Sequence, residues 1–136
     1  MSSPSDVTFV FGHTHKPFQE DVNFREYPGW VNVYNSGGWV IDTVETQPLH
    51  GGAVILLDET LASLSLRMYN EGADPAKYSV CVEEATHGGE DKDPFYKRIG
   101  QLLDPNADPW KSFSQITARE VRIRRQNLRA KVNEKV

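Results

Sequence analysis

The apolar residues in the first half of the chain follow the two-residue period of β-strands. In the run from residue 61 to 69, Leu64, Leu66 and Met68 alternate with polar side chains, so one face of the strand is covered and the other meets solvent. Residues 53–57 are apolar without interruption, which predicts a strand buried on both faces beneath helices or a second sheet. These two runs form a predicted hairpin around residues 58–60. Further strands are predicted at residues 7–11 and 30–34.

Beyond residue 92 the apolar period becomes helical. Two Asp-Pro pairs, at residues 93–94 and 108–109, each place an N-cap acceptor before a proline suited to the first helical position. From Phe95 the first stripe repeats at i, i+4, i+7 and i+8, and Pro105 ends that helix. The second, longer helix is rich in arginine and carries a narrower apolar stripe at Trp110, Phe113, Ile116, Val121, Leu128 and Val132. A narrow stripe is typical of a helical hairpin or of contact with a partner.

Charge divides the chain into unlike parts. Residues 1–92 carry five Lys and Arg against 14 Asp and Glu, whereas residues 93–136 carry ten against five. The asymmetry predicts two structural units that attract each other. We therefore expect strands over residues 1–70, an acidic connector over residues 71–92 and a basic helical hairpin over residues 93–136. A short strand at residues 78–82 is expected inside the connector.

The predicted strand at residues 7–11 leads directly into Gly12-His13-Thr14-His15. Imidazole is the commonest metal ligand in proteins. In an extended chain, residues two apart point the same way, so His13 and His15 could face one cavity while Gly12 lets the backbone turn. This loop is a candidate metal site.

The order of these motifs resembles the last part of the calcineurin-like metallophosphoesterases. In that family a Gly-His-x-His loop is followed by a strand, by a turn of the Asn-x-Gly-Ser type and by a closing hairpin; here the turn is Asn35-Ser36-Gly37-Gly38. The resemblance covers roughly the first 70 residues. It implies an α/β fold, with these strands forming the C-terminal part of a β-sandwich flanked by helices and the helical hairpin appended. It also implies hydrolysis of a phosphate monoester or diester.

The same resemblance implies a dinuclear metal site, with His13 a ligand of one ion and His15 a ligand of the other. Two divalent ions, Mn, Fe or Zn, would activate a water and neutralise charge on the phosphoryl oxygens. The family's Asp-x-His, Gly-Asp-x-x-Asp and Gly-Asn-His motifs do not occur in this sequence. We therefore expect a C-terminal segment of such an enzyme that is inactive alone and needs the missing N-terminal part, and no catalytic residue can be assigned.

Other residues could belong to the site but stand at no family motif position. The acidic residues near the His loop could donate oxygens, but solvated loop charge is the expected role; they are Asp6, Glu20, Asp21 and Asp42. His50 and His87 each precede a pair of glycines and are expected to be exposed to solvent, although a loop such as that of His50 can also border a site. Gly37 and Gly38 predict a turn, which lies either beside the metal cavity or in an ordinary hairpin.

The rival function is a non-catalytic binding module that uses the basic C-terminal helix for a protein or a nucleic acid. Nucleic acid is the less favoured partner because the helix lacks the interleaved aromatic residues that base stacking uses. Apolar residues make up 38% of the chain, which is low for a self-sufficient enzyme and agrees with a partial domain. The missing N-terminal part of the enzyme or a protein partner is expected to cover the sheet. One cysteine, Cys81, excludes an internal disulfide. With no long apolar segment and no signal peptide, a cytoplasmic protein without membrane contact is expected.

Overall fold

A computed structural model describes residues 7–71, 74, 78–85 and 93–135, which form two three-stranded sheets and two helices. The general α/β class predicted from the sequence is confirmed. The elements are β1 (Thr8–Phe11), β2 (Phe18–Asn23), β3 (Trp30–Asn35), β4 (Gly51–Leu57), β5 (Ser63–Asn70), β6 (Cys81–Glu83), α1 (Pro94–Leu102) and α2 (Trp110–Glu134). Neither helix in these ranges combines the length and the apolar character needed to cross a membrane.

The first sheet has the order β1-β3-β2, with β1 parallel and β2 antiparallel to β3. The apolar pattern of the sequence does not predict β2. Its residues include Glu20 and Asp21 beside few apolar side chains, so the hydrophobic pattern gives little signal. Pairing with β3 along six residues, from Phe18 opposite Asn35 to Asn23 opposite Trp30, decides its conformation.

The second sheet has the order β4-β5-β6, all antiparallel. Its β4–β5 hairpin was predicted, and the turn is held by the carboxylate of Asp58, which accepts a hydrogen bond from Thr60 N at 2.8 Å. Hydrogen bonding to the Thr60 side chain lowers the pKa of Asp58. β6 covers part of the short strand expected in the acidic connector, so this segment joins the sheet.

Within this chain β4 is not buried on both faces, so the cover predicted from its apolar run would have to come from elsewhere. Val54 is 41% exposed and Leu57 is 51% exposed, whereas Leu64 on β5 is fully buried. The physical reason is position, because β4 is an edge strand and the two helices pack on β5 and β6.

Backbone and side-chain contacts join the two sheets. Gly37 forms an isolated bridge with Gly52, and Ala53 N donates to Ser36 O at 2.8 Å. Tyr34 on β3 is buried and its hydroxyl donates to Ser63 O at 2.9 Å. The two sheets are therefore in direct contact, and the loops at the end of the first sheet lie beside the start of β4 in the second.

The two helix starts differ. Asp93 caps α1, because its carboxylate accepts from Phe95 N at 2.8 Å, as predicted. α2 begins one residue later than expected, with Pro109 at the cap position and no side-chain cap there. Asp108 lies just before it and accepts from Ser112 N at 3.2 Å. The α2 stripe is only partly covered, since Val121 is buried while Ile116 is 52% exposed.

Candidate metal centre

The His loop is not extended. His13 has φ +78° and His15 has φ +62°, which is the left-handed region that L-residues other than Asn, Asp and His seldom adopt. The prediction from strand periodicity that both side chains share one direction therefore does not apply. His15 is half-buried and His13 is exposed, although the two rings lie 6.4 Å apart.

The turn at residues 35–38 fastens this loop. Asn35 is buried and bridges two segments: its side chain donates to the hydroxyl of Thr14 and accepts from Gly37 N at 2.8 Å. The backbone of His13 donates to Gly37 O at 3.2 Å. Residues in a left-handed conformation persist where the surrounding structure fixes them, and these contacts supply that constraint.

Gly38 and Gly51 bring the loop against the start of β4. Gly51 N donates to His15 O at 2.9 Å, and Gly38 N donates to Gly51 O at 3.1 Å. A side chain at Gly38 would place its Cβ 3.2 Å from Cγ of the His15 ring. The glycine turn thus lies directly against His15, beside the candidate metal centre.

Three side chains converge at this point: His15, Asp42 and His50. Their potential ligand atoms, one from each residue, all lie within 4.8 Å of one another. His15 Nδ1 is 3.9 Å from Asp42 Oδ2, and the imidazole centroids of His15 and His50 are 5.4 Å apart. The Nδ1 atoms of both histidines are buried and have no hydrogen-bond partner among the described residues. Two buried nitrogens without partners beside a carboxylate can accept a metal ion.

The expectation that His50 is exposed to solvent is wrong. Its side chain is 18% exposed, and its Nδ1 lies 3.6 Å from Oε2 of Glu71, which is 1% exposed. Arg125 from α2 donates to the other oxygen of Glu71 at 2.9 Å. The role of Glu71 is not predictable from the sequence, because Glu71 and Arg125 lie 54 residues apart and no local pattern signals their contact.

Tyr69 borders the same cluster. Its hydroxyl donates to Gly38 O at 2.6 Å, and its ring packs edge-on against Trp39 at 5.7 Å between centroids. Burial, reinforced by the negative charges of Glu71 and Asp42, raises the pKa of Tyr69 to about 12. The hydroxyl therefore remains protonated near neutral pH and orders the glycine turn beside His15.

Apart from Asp42, the other candidate residues that the structure describes lie outside this cluster. Among the described residues, the three-residue cluster is the one group of His, Cys, Asp and Glu close enough to hold an ion, and His13 is outside it. Glu20 and Asp21 lie on β2. Asp42 is largely exposed, as expected, yet it lies beside His15. Asp6 and His87 fall outside the described residues.

Comparison with protein-family models, with curated proteins and with solved structures found no match for this chain. The function of the cluster is therefore argued from its residues. Two imidazoles and one carboxylate suit a divalent transition metal, since nitrogen ligands favour Zn and its neighbours and carboxylates are shared among many ions.

Proposed function

We propose that this chain contributes the histidine loop of a metal-dependent phosphoesterase. The observation that carries the proposal is the joint placement of the Gly-His-Thr-His loop, the Asn35 turn and the acidic partner of His15. The loop follows β1, the turn follows the neighbouring strand β3, and Asp42 lies 3.9 Å from His15. This order and this carboxylate support hydrolysis of a phosphate monoester or diester.

His15 and its neighbours fit a metal ion, because their buried imidazole nitrogens have no hydrogen-bond partner among the described residues. When bound, divalent ions supply charge neutralisation at the phosphoryl oxygens and activation of the attacking water. In the proposed dinuclear site His15 binds one ion and His13, on the exposed side of the loop, binds the other. Gly37 and Gly38 let the loop pack closely beside this site, because a Cβ at Gly37 would lie 2.3 Å from Gly51 O and one at Gly38 would lie 3.2 Å from His15 Cγ.

The described residues supply one group of three ligands and only His13 for a second ion, and the family's three other motifs do not occur in the sequence. We therefore propose that a segment bearing Asp-x-His, Gly-Asp-x-x-Asp and Gly-Asn-His completes the site. Such a segment would also cover part of the exposed apolar surface of β1, where Phe9 is 56% exposed. The chain by itself should hydrolyse no phosphate ester at an appreciable rate.

The test measures turnover of a chromogenic phosphomonoester and phosphodiester with Mn²⁺ or Zn²⁺. The chain is assayed alone and after mixing with a polypeptide that carries the three motifs, chosen from the reading frames next to its own. We expect turnover only in the mixture, abolished by a chelator. His13→Ala and His15→Ala should each lower it by orders of magnitude, because a two-metal clamp would lose a ligand.

His87→Ala is the matched control and should change little. Equal losses from all three histidine substitutions would contradict the site assignment. Turnover by the chain alone with two tightly held ions would overturn the need for a second segment. If the two polypeptides bind each other and the complex hydrolyses neither ester, the proposed function is rejected.

A second candidate, a non-catalytic binding module, is favoured by the exposed arginines of α2. Arg119, Arg122 and Arg124 are all exposed to solvent, and arginine suits contacts with phosphates or acidic protein surfaces. Binding of a generic oligonucleotide that falls steeply with salt would support a nucleic-acid module. Binding that depends on a particular acidic protein would support a protein partner instead.

A further inference from the structure

We propose that His15, Asp42 and His50 bind one divalent transition-metal ion in this chain alone, with Glu71 as the positioning residue for His50. The resemblance that suggests phosphoester hydrolysis gives a role to His13 and His15 and none to the other three. The inference rests on the geometry of the described residues and does not depend on the proposed hydrolysis.

The three proposed ligand atoms lie close enough together to share one ion. Three ligand atoms lie within 4.8 Å of one another, so small side-chain rotations can bring them to a common ion at about 2.0–2.2 Å. The His15 side chain is 23% exposed, that of His50 is 18% exposed, and that of Asp42 is 51% exposed. The two imidazoles therefore form the buried wall of the site and Asp42 its solvent side.

The buried histidine nitrogens give independent support. Nδ1 of His15 and Nδ1 of His50 are inaccessible to water and make no hydrogen bond among the described residues. Leaving a buried polar atom without a hydrogen bond is unfavourable, because the atom has lost its contact with water and gained no partner. A bound ion relieves part of this cost in one of two ways. It accepts the lone pair of Nδ1 directly, or it binds the second ring nitrogen and fixes the ring so that Nδ1 reaches a hydrogen-bond partner.

Glu71 supplies that partner for His50. Its Oε2 lies 3.6 Å from His50 Nδ1, just beyond hydrogen-bond range, and receives a 3.4 Å hydrogen bond from Gln47 N. Metal-bound histidines commonly donate their second ring N–H to a carboxylate, which fixes the ring and strengthens it as a ligand. A slight closure on metal binding would make this bond, leaving the other nitrogen of His50 for the ion.

Arg125 holds Glu71 in place from α2. The pair is 2.9 Å apart, and the Arg125 side chain is only 13% exposed. Breaking such a buried ion pair by removing one partner is strongly destabilising, so Arg125 helps to fix Glu71 in this position. The C-terminal helix thus acts on the candidate metal centre through a continuous series of contacts, from Arg125 to Glu71 to His50.

Three protein ligands leave one position of a tetrahedral ion open, which is the arrangement of catalytic rather than structural zinc sites. Nitrogen ligands also select Zn²⁺ and similar ions over Mg²⁺, which prefers six oxygens. A small oxygen donor, such as water or a phosphate oxygen, is the class of ligand that the open position would accept.

The experiment titrates Zn²⁺ into the full chain against a chromogenic chelator, with the coordination number followed by the visible absorption of Co²⁺. We expect one ion per chain, in a site where Mg²⁺ does not compete. His15→Ala, Asp42→Asn and His50→Ala should each lower the affinity by at least about 100-fold. The two alanine substitutions remove a ligand, and Asp42→Asn replaces an anionic ligand with a neutral amide that binds Zn²⁺ poorly. His87→Ala is the matched histidine control.

His50→Ala is the decisive variant, since the resemblance gives His50 no role. If its affinity equals that of His87→Ala, the proposed site is overturned. Asp42→Asn is the second decisive variant, because its half-exposed side chain can change without unfolding the chain. Wild-type affinity in this variant would likewise reject the site.

Glu71→Gln tests the positioning role, with Glu120→Gln on the surface of α2 as its control. We expect Glu71→Gln to lower the affinity by about 10–100-fold, measured well below the unfolding temperature of the metal-free variant. A merely structural role would lower that temperature and leave the affinity unchanged, which would overturn the role of Glu71. The Zn²⁺ titration contains no phosphate ester, so its result does not depend on hydrolysis by the mixture. A failure of the metal site and a failure of the proposed phosphoesterase function can therefore be told apart.

Discussion

Two histidines in one short loop have different environments. His15 lies against Gly38 and the start of β4, and it approaches Asp42 and His50, while His13 points to the exposed side. Both require a left-handed backbone, and the buried side chain of Asn35 holds the loop in that shape. At the scale of single residues, the candidate metal centre therefore depends on side chains that are far from the His loop in sequence.

Tyr69 gives a pH-dependent prediction. Its pKa is raised from 10.0 to about 12, chiefly by burial, so the folded state keeps this proton to higher pH than the unfolded state. The resulting stability is fully present below about pH 10 and is lost as pH rises through about 12. Urea unfolding between about pH 9 and pH 12 should show this decline.

Tyr69→Phe should reduce the decline, because only the tyrosine can ionise. The substitution also removes the hydrogen bond to Gly38 O, but that loss is present at every pH below the titration. The readout is therefore the difference between the two ends of the pH range. An identical decline in the wild type and in Tyr69→Phe would show that Tyr69 is not responsible.

At the scale of elements, caps and turns explain why helices and strands begin where they do. Asp93 caps α1 with its carboxylate and precedes Pro94, while Asp58 holds the β4–β5 turn. These are contacts between residues two positions apart, so they were visible in the sequence. β2 carries no comparable local signal and is held by its pairing with β3.

Asp93→Ala should lower the free energy of unfolding by about 1 kcal/mol, within the 0.5–2 kcal/mol typical of a lost N-cap. The reason is that Phe95 N loses its 2.8 Å acceptor. Asp93→Asn is the matched control and should stay close to the wild type, since asparagine caps as well as aspartate. Chemical denaturation measures both, and equal losses in the two variants would argue against the capping role.

At the scale of the whole molecule, the basic C-terminal helix is joined to the acidic strands by a buried ion pair. Arg125 and Glu71 are both largely withdrawn from solvent, whereas the neighbouring pair of Arg124 and Glu120 is exposed at 64% and 49%. The oppositely charged parts of the chain thus meet in one specific contact, the ion pair of Arg125 and Glu71. Most other arginines of α2 remain at the surface.

Arg125→Gln should lower the free energy of unfolding by about 3–5 kcal/mol, because it leaves the buried carboxylate of Glu71 without its cation. Arg124→Gln, one residue earlier, should cost under about 1 kcal/mol, since its partner is solvent-exposed. Urea unfolding compares the two directly. Losses of similar size would contradict the view that burial distinguishes these pairs.

Exposed apolar residues on β1 predict self-association of the chain in isolation. Phe9, Val10 and Phe11 are each more than 40% exposed, and β1 is an edge strand of its sheet. An exposed apolar edge favours pairing with another chain. Light scattering over a range of concentrations should show association that Phe9→Lys reduces.

Leu102→Lys is the control for that experiment, because Leu102 is 72% exposed but lies on α1. It adds the same charge away from the sheet edge and should leave association unchanged. A wild-type chain that stays monomeric at high concentration would refute the prediction.

The sequence by itself determined the elements whose causes are local. Alternating apolar residues predicted the β4–β5 hairpin, and an Asp-Pro pair predicted the start of α1, because strand pleating, turns and caps involve residues a few positions apart. It also predicted that the His loop follows a strand. Tertiary structure alone decided that β4 is partly exposed, that β2 exists, and that His50 and Asp42 meet His15. These outcomes depend on how distant segments pack, and a contact such as Arg125 with Glu71, 54 residues apart, leaves no periodic trace in the chain.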